Sequence, residues 1–197
     1  YAASRNHVEV VSLLLSRGAL LDSSNQDSRT ALYLAAREGA TSTVRILVDA
    51  GADVNAASKT LRTPLHAATM NQHADILEIL LAASAEYACR DSKGFSIWHE
   101  AAAVDAATIM QQIFIAKFGI QPVCTDKDEC GSTPLHTAAE NGAEDATALL
   151  LQHFSDPDPL NVDANTPLSL AASFGHLRVA ELLLARGADP DRTVAGG

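Results

Sequence analysis

Three histidines, His66, His99 and His136, stand fourth in related tetrapeptides: Thr63-Pro64-Leu65-His66, Ser96-Ile97-Trp98-His99 and Thr133-Pro134-Leu135-His136. An imidazole can move protons near neutral pH or ligate a metal, and both chemistries need partners at a workable spacing. A second set, His7, His73 and His176, recurs in another column. No two histidines make an HxxxH pair, and none lies beside a cysteine pair with zinc spacing. Cys124 and Cys130 flank Asp126, Lys127, Asp128 and Glu129, a spacing that matches no standard metal clip. A nucleophile elbow and a phosphate-binding glycine loop are both missing from the chain. The reactive side chains do not converge, so the expectation is a protein without catalytic residues, metal or cofactor.

What positions these side chains is a repeat. Thr30-Ala31-Leu32-Tyr33 and Thr166-Pro167-Leu168-Ser169 complete the tetrapeptide series, whose first residues are spaced 33, 33, 37 and 33 apart. A period held this closely marks stacked units and not one large core. The same register aligns Ala35, Ala68, Ala101, Ala138 and Ala171, small residues that let helices approach closely. A turn column follows: Asn6, Gly39, Gln72, Asp105, Gly142 and Gly175. Gly and Asn accept the left-handed backbone that ends a helix, whereas Gln72 and Asp105 do so less readily. Leu13-Leu14-Leu15, Ile46-Leu47-Val48, Ile79-Leu80-Leu81, Leu149-Leu150-Leu151 and Leu182-Leu183-Leu184 then give the spacing of a helix buried along one face. Each unit reads as helix, tight turn, helix and polar loop. Thr30, Thr63, Ser96, Thr133 and Thr166 are placed as N-caps, with Pro64, Pro134 and Pro167 at the first helical position.

Composition narrows the function classes. Of the net charge of −10, the first 98 residues carry 9 Lys/Arg against 10 Asp/Glu, while the remainder carry 5 against 14. Phosphate contacts need clustered cations, so nucleic-acid binding is not expected. No apolar run approaches a membrane span, and no membrane insertion is expected. Three cysteines without framework spacing suit free thiols in a reducing, cytoplasmic setting, with the nucleus as the alternative.

The recurring segments Gly51-Ala52-Asp53-Val54-Asn55 and Thr63-Pro64-Leu65-His66 resemble the ankyrin repeat family. The resemblance covers essentially all 197 residues. It implies an all-α ankyrin-repeat solenoid of antiparallel helix pairs with β-hairpin loops. The expected organisation is a single array: a truncated repeat over 1–24, repeats over 25–57, 58–90, 91–127, 128–160 and 161–192, and a tail over 193–197. The long interval should carry its four extra residues between Phe114 and Asp128, where Ile115 to Gly119 extend a helix by about one turn. Tyr1 falls inside a first helix and Val179, Leu182 and Leu183 stay apolar, so the chain is expected to be a piece of a longer array. The resemblance also implies that each tetrapeptide histidine hydrogen-bonds the cap hydroxyl and the neighbouring loop backbone.

Positions that the architecture does not need remain for recognition. The resemblance places them on hairpin tips and on the exposed side of the first helices. Arg5, Arg29, Arg37, Lys59, Arg62 and Lys93 bias the early part of this surface positive; Glu129, Glu140 and Asp163 bias the later part negative. Met70, Phe95, Val104 and Phe174 could anchor a partner between them. The expected function is a scaffold that binds a protein or extended peptide through a concave groove and its hairpin tips, as a monomeric array. The alternative is a targeting or regulatory segment of a larger enzyme, channel or NTPase. Leu47 followed by Asp53-Val54-Asn55 is similar to a pattern recognised in ankyrin proteins by an asparaginyl hydroxylase, which makes Asn55 a possible modification site. If Phe95 is an anchor, Phe95→Ala should weaken a bound partner by at least ~2 kcal/mol in titration calorimetry while the melting temperature stays unchanged.

Overall fold

The computed structural model describes residues 1–111, 126–153 and 156–192, and the expected insertion between Phe114 and Asp128 lies largely outside them. The chain divides into two compact units, Tyr1–Ser92 and Lys93–Gly197. The first unit holds a 3-10 turn over Ala3–Arg5, α1 (Val8–Ser16), α2 (Ala31–Arg37), α3 (Thr41–Asp49), α4 (Pro64–Met70) and α5 (Ala74–Ala82). The second holds α6 (Ile97–Ala103), a single turn α7 (Ala107–Ile109), α8 (Pro134–Asn141), α9 (Glu144–His153), α10 (Pro167–Phe174) and α11 (Leu177–Ala185). Within each unit the contacts run between partners of a pair, as α2 with α3, and between equivalent helices of successive repeats, as α2 with α4 or α8 with α10.

The caps form as the residue types require. Thr30 Oγ1 accepts from Tyr33 N at 3.2 Å, and Thr63, Ser96, Thr133 and Thr166 each complete a reciprocal capping box. Pro64, Pro134 and Pro167 follow at the first helical position, where no N–H is needed. Ala35, Ala68, Ala101, Ala138 and Ala171 are fully buried, so the small column is the seam between stacked first helices. Val44, Leu47, Ile76, Leu77, Leu80, Leu150 and Leu183 fill the layer between second helices.

The all-α helix pairs and their hairpin loops form as expected, and one expectation changes. The loops are tight hairpins without regular strands: among the described residues one antiparallel bridge, Ser24 with Thr30, stands outside the helices. Their turns are closed by a few local bonds, such as Ser58 N to Arg62 O at 2.9 Å with Leu61 N to Ser58 O at 2.9 Å, and Asp128 N to Ser132 O at 2.9 Å with Gly131 N to Asp128 O at 3.0 Å. Val179 and Leu183 are buried, so they do not form an apolar outer face; the exposed large apolar residues of α11 are Leu177 and Leu184. Rotation along the helix puts i and i+4 on the inner side together and turns i−2 and i+5 away from it.

The turn column is left-handed at all six positions, with φ of 57° at Gln72 and 53° at Asp105. It also ties repeats together. Asn6 Oδ1 accepts from Thr43 N at 3.1 Å and Thr43 Oγ1 at 2.9 Å, and Asp105 Oδ1 accepts from Ala146 N at 2.7 Å. Each side chain thereby caps a free donor in the first turn of the next repeat's second helix. Where the turn residue is glycine, the contact runs the other way. His73 reaches back to Arg37 O at 3.1 Å, and His176 reaches back to Glu140 O at 3.0 Å. Their rings occupy the space that a Cβ would need: one on Gly39 would lie 2.7 Å from the His73 ring, and one on Gly142 2.5 Å from the His176 ring. Gly39→Ala is therefore expected to combine left-handed strain with loss of the His73 contact and to cost about 2–3 kcal/mol, whereas Gly175→Ala, with nothing within 4 Å, should cost only about 1 kcal/mol. Denaturant unfolding of the two variants measures the difference.

Candidate partner-binding groove

The tetrapeptide histidines are structural. Thr63 N donates to His66 Nδ1 at 3.3 Å and Thr133 N to His136 Nδ1 at 3.1 Å. An accepting Nδ1 is unprotonated, so the neutral ring carries its proton on Nε2. His136 Nε2 accordingly meets Asn165 O at 3.1 Å, and His99 Nε2 meets Ser132 O at 2.9 Å, each on the next hairpin. Ser96, His99 and Asp126 assemble a buried set with the composition of a hydrolase triad. Its geometry is different: Ser96 Oγ lies 3.1 Å from His99 Nδ1 and also donates to the Asp126 carboxylate, while Nε2 is committed to Ser132 O. All three residues are buried. Among the described residues, no cluster of His, Cys, Asp or Glu is arranged to hold a metal. Cys89 and Cys130 are free thiols, and Cys124 lies outside the described residues. Burial first, and a hydrogen bond to Glu86 second, push the Cys89 thiol up.

In the second unit, six of the expected recognition residues gather around one cavity of about 430 Å³: Lys93, Phe95, Glu129, Glu140, Asp163 and Phe174. Hairpin tips supply Lys93, Phe95, Glu129 and Asp163. Glu140 comes from the end of α8, and Phe174 ends α10. Asp128 and Leu170 also line it. The tips are held side by side by main-chain bonds, Glu129 N to Lys93 O at 3.2 Å and Val162 N to Cys130 O at 2.9 Å. Gly94 permits this spacing, since a Cβ there would lie 2.7 Å from Glu129 N. Asp128 Oδ1 accepts from Ser132 N at 2.7 Å and belongs to its turn. The carboxylates of Glu129, Glu140 and Asp163 engage nothing among the described residues and are exposed.

The aromatic anchors differ from each other. Phe95 is half-buried and stacks on His99 with centroids 5.3 Å apart. Truncating it therefore disturbs a capping box as well as the groove. Phe174 is 56% exposed, stacked on His176 at 6.4 Å, and presents its free face to the cavity. Val104 is half-buried at the end of α6 and does not line the cavity.

In the first unit, the basic positions are largely occupied. Arg29 lies 3.5 Å from Asp27 and 5.7 Å from the Tyr33 ring; Arg37 pairs with Glu38 at 2.6 Å. Arg62 Nε donates at 3.2 Å to Asp91, whose side chain is almost wholly buried, so this pair ties two hairpins together. Arg29 and Arg37 line a second cavity of about 470 Å³ with Tyr1 and Leu34, while Arg5 and Lys59 are exposed outside it. Met70 is half-buried at the end of α4. Asn55 Oδ1 accepts from Glu86 N at 2.8 Å, and Asp22 and Asp158 make the equivalent bonds to Asp53 N and Asp189 N. This loop-to-loop column was not legible beforehand, although Asp22, Asn55 and Asp158 share one register of the repeat.

Comparison with known proteins sets this geometry in context. The family profile described as "Ankyrin repeats (3 copies)" matches residues 1–91 and 98–194. The chain belongs to the ankyrin repeat family. The crystal structure of the human ASB11 ankyrin repeat domain superposes with a TM-score of 0.84 at 23% identity, covering 100% of this chain and 86% of that one. A transient receptor potential cation channel subfamily A member 1 homolog of Caenorhabditis elegans is 39% identical over 62 residues, 32% of this chain and 5% of the relative. The Gallus gallus nuclear factor NF-kappa-B p105 subunit is 30% identical over 101 residues, 51% and 10% respectively. A Dictyostelium discoideum 26S proteasome non-ATPase regulatory subunit 10 is 39% identical over 72 residues, 36% and 30%. The matches thus span under a third of these relatives' length. Ankyrin repeats generally act as protein-interaction modules. No helix among the described residues is long and apolar enough to cross a membrane.

The ankyrin cap histidine has a pH signature. Burial pushes His136 below its ordinary value of 6.5, outweighing backbone hydrogen bonds to Asn165 and Pro159. The unfolded chain then binds the proton at higher pH than the folded one. Its stabilising contribution is complete above about pH 6.5 and declines as pH falls through that value. His136→Gln is expected to lower the melting temperature at pH 7 and to make its fall between about pH 7 and pH 5 shallower, read by thermal denaturation across a pH series.

Proposed function

We propose that this ankyrin array is a protein-interaction scaffold that binds a protein or extended peptide, its contact surface being the cavity between Phe95 and Phe174. The observation that carries this reading is the convergence of Lys93, Phe95, Glu129, Glu140, Asp163 and Phe174 on one concave surface, where the Phe174 side chain is exposed. Concave surfaces with apolar walls and a few placed polar groups are where binding energy concentrates. The module does no chemistry of its own in this reading. It acts in a reducing, intracellular compartment, which suits the free thiols Cys89 and Cys130. It binds as a single copy.

A second reading is that the array targets or regulates a larger enzyme, channel or NTPase of which it is a segment. The small share of each relative that the matches span, 5% in the channel homolog, favours keeping the whole protein larger than the array. The two readings are compatible, because a targeting segment also works by binding.

Phe174→Ala tests the surface better than Phe95→Ala, because its ring carries little of the fold. A partner captured by the wild-type array should bind the Phe174→Ala variant roughly tenfold more weakly, about 1–2 kcal/mol, in calorimetric titration, with the melting temperature unchanged. Equal affinities would remove this groove from the contact.

A further inference from the structure

We infer that the occupant of the groove is a cationic, extended peptide segment that places Lys or Arg side chains against Glu129, Glu140 and Asp163 and an apolar side chain against Phe174. This rests on the groove being the partner-binding surface proposed above.

The charge balance of the site points one way. Among the described residues, Lys93 is the single cation lining the cavity, against the carboxylates of Asp128, Glu129, Glu140 and Asp163. Asp128 is committed to its own turn through Ser132 N, but the other three have no hydrogen-bond or ion-pair partner among the described residues. An acidic segment would meet three uncompensated like charges, and such juxtaposition is a strong discriminator between partners. A cationic segment would meet three acceptors without displacing an existing pair. The basic positions of the first unit do not form a matching acceptor for acidic stretches. Arg29, Arg37 and Arg62 already hold Asp27, Glu38 and Asp91. Residues 99–197 also carry most of the net negative charge, which raises the local concentration of a cationic ligand before contact.

The form of the ligand follows from the main chain. The facing N–H and C=O groups of the hairpin tips already pair with each other, Glu129 with Lys93 and Val162 with Cys130. A peptide therefore cannot bind by adding a strand to these groups, and recognition must run through side chains. The apolar wall is Phe95, Leu170 and Phe174, with Phe174 the most open of the three. An apolar residue flanked by basic ones fits both parts of the lining. The carboxylates are exposed, so their contribution should be screened by salt.

A selection from a library of random dodecapeptides against the whole chain tests this. The expected result is enrichment of sequences with two or more Lys/Arg next to an apolar residue. Synthetic versions should bind at least tenfold more weakly to E129Q/E140Q/D163N, and their association should slow as salt rises from 50 to 500 mM. Binding to R5Q/K59Q should match the wild type. The exposed substitutions should leave the circular dichroism melting curve unchanged, which separates lost recognition from lost fold. Enrichment of acidic or uncharged peptides that still need Phe174 would overturn the charge assignment and leave the groove standing. Binding indifferent to both Phe174 and the three carboxylates would overturn the groove as well. An empty selection would overturn the linear-peptide occupant.

Discussion

Helices of seven to ten residues do not persist alone in water, and apart from the single turn α7 the α-helices among the described residues are all of that length. That constraint governs the rest of the structure. Each repeat must find its missing stabilisation on its neighbour, so the chemistry of the repeat-to-repeat seam decides which residues are free and which are committed. The alanine column makes the seam close enough for direct bonding. The cap histidine then uses it fully, accepting from its own cap through Nδ1 and donating to the following hairpin through Nε2. One neutral ring satisfies groups in two repeats at once.

The turn column shows the same economy in two versions. A glycine turn leaves room for a histidine from the next repeat to reach backwards; an Asn or Asp turn reaches forwards to a second-helix donor. Both versions satisfy a group at a helix end that would otherwise depend on water. They also explain why residues as unlike as Gly39 and Asp105 occupy equivalent places. The loop column of Asp22, Asn55 and Asp158 adds a third line of ties along the loops.

Recognition is what remains once these duties are assigned. Charged residues at the hairpin tips have two fates here. Arg62 and Asp91 bind each other and become part of the seam, while the carboxylates of Glu129 and Asp163 face an open cavity with no partner among the described residues. A charge at a tip is thus not by itself evidence of a binding surface. Its partner, or lack of one, is the discriminating observation. The same distinction separates Phe95, stacked on a cap histidine, from the more exposed Phe174.

Periodicity, caps, turn glycines and the apolar register of the second helices were all readable from residue types, because each depends on local backbone chemistry repeated at a fixed interval. The absence of strands in the hairpins was less readable, since a short loop and a short ladder share the same turn residues. Tertiary structure alone decided which tip charges are paired, which side of α11 is buried, and which of the chosen positions meet around one cavity. Several of those outcomes depend on contacts between neighbouring repeats, as between Arg62 and Asp91, which no local pattern specifies. A linear pattern specifies the column in which a residue stands; only the packed neighbour determines what that residue touches.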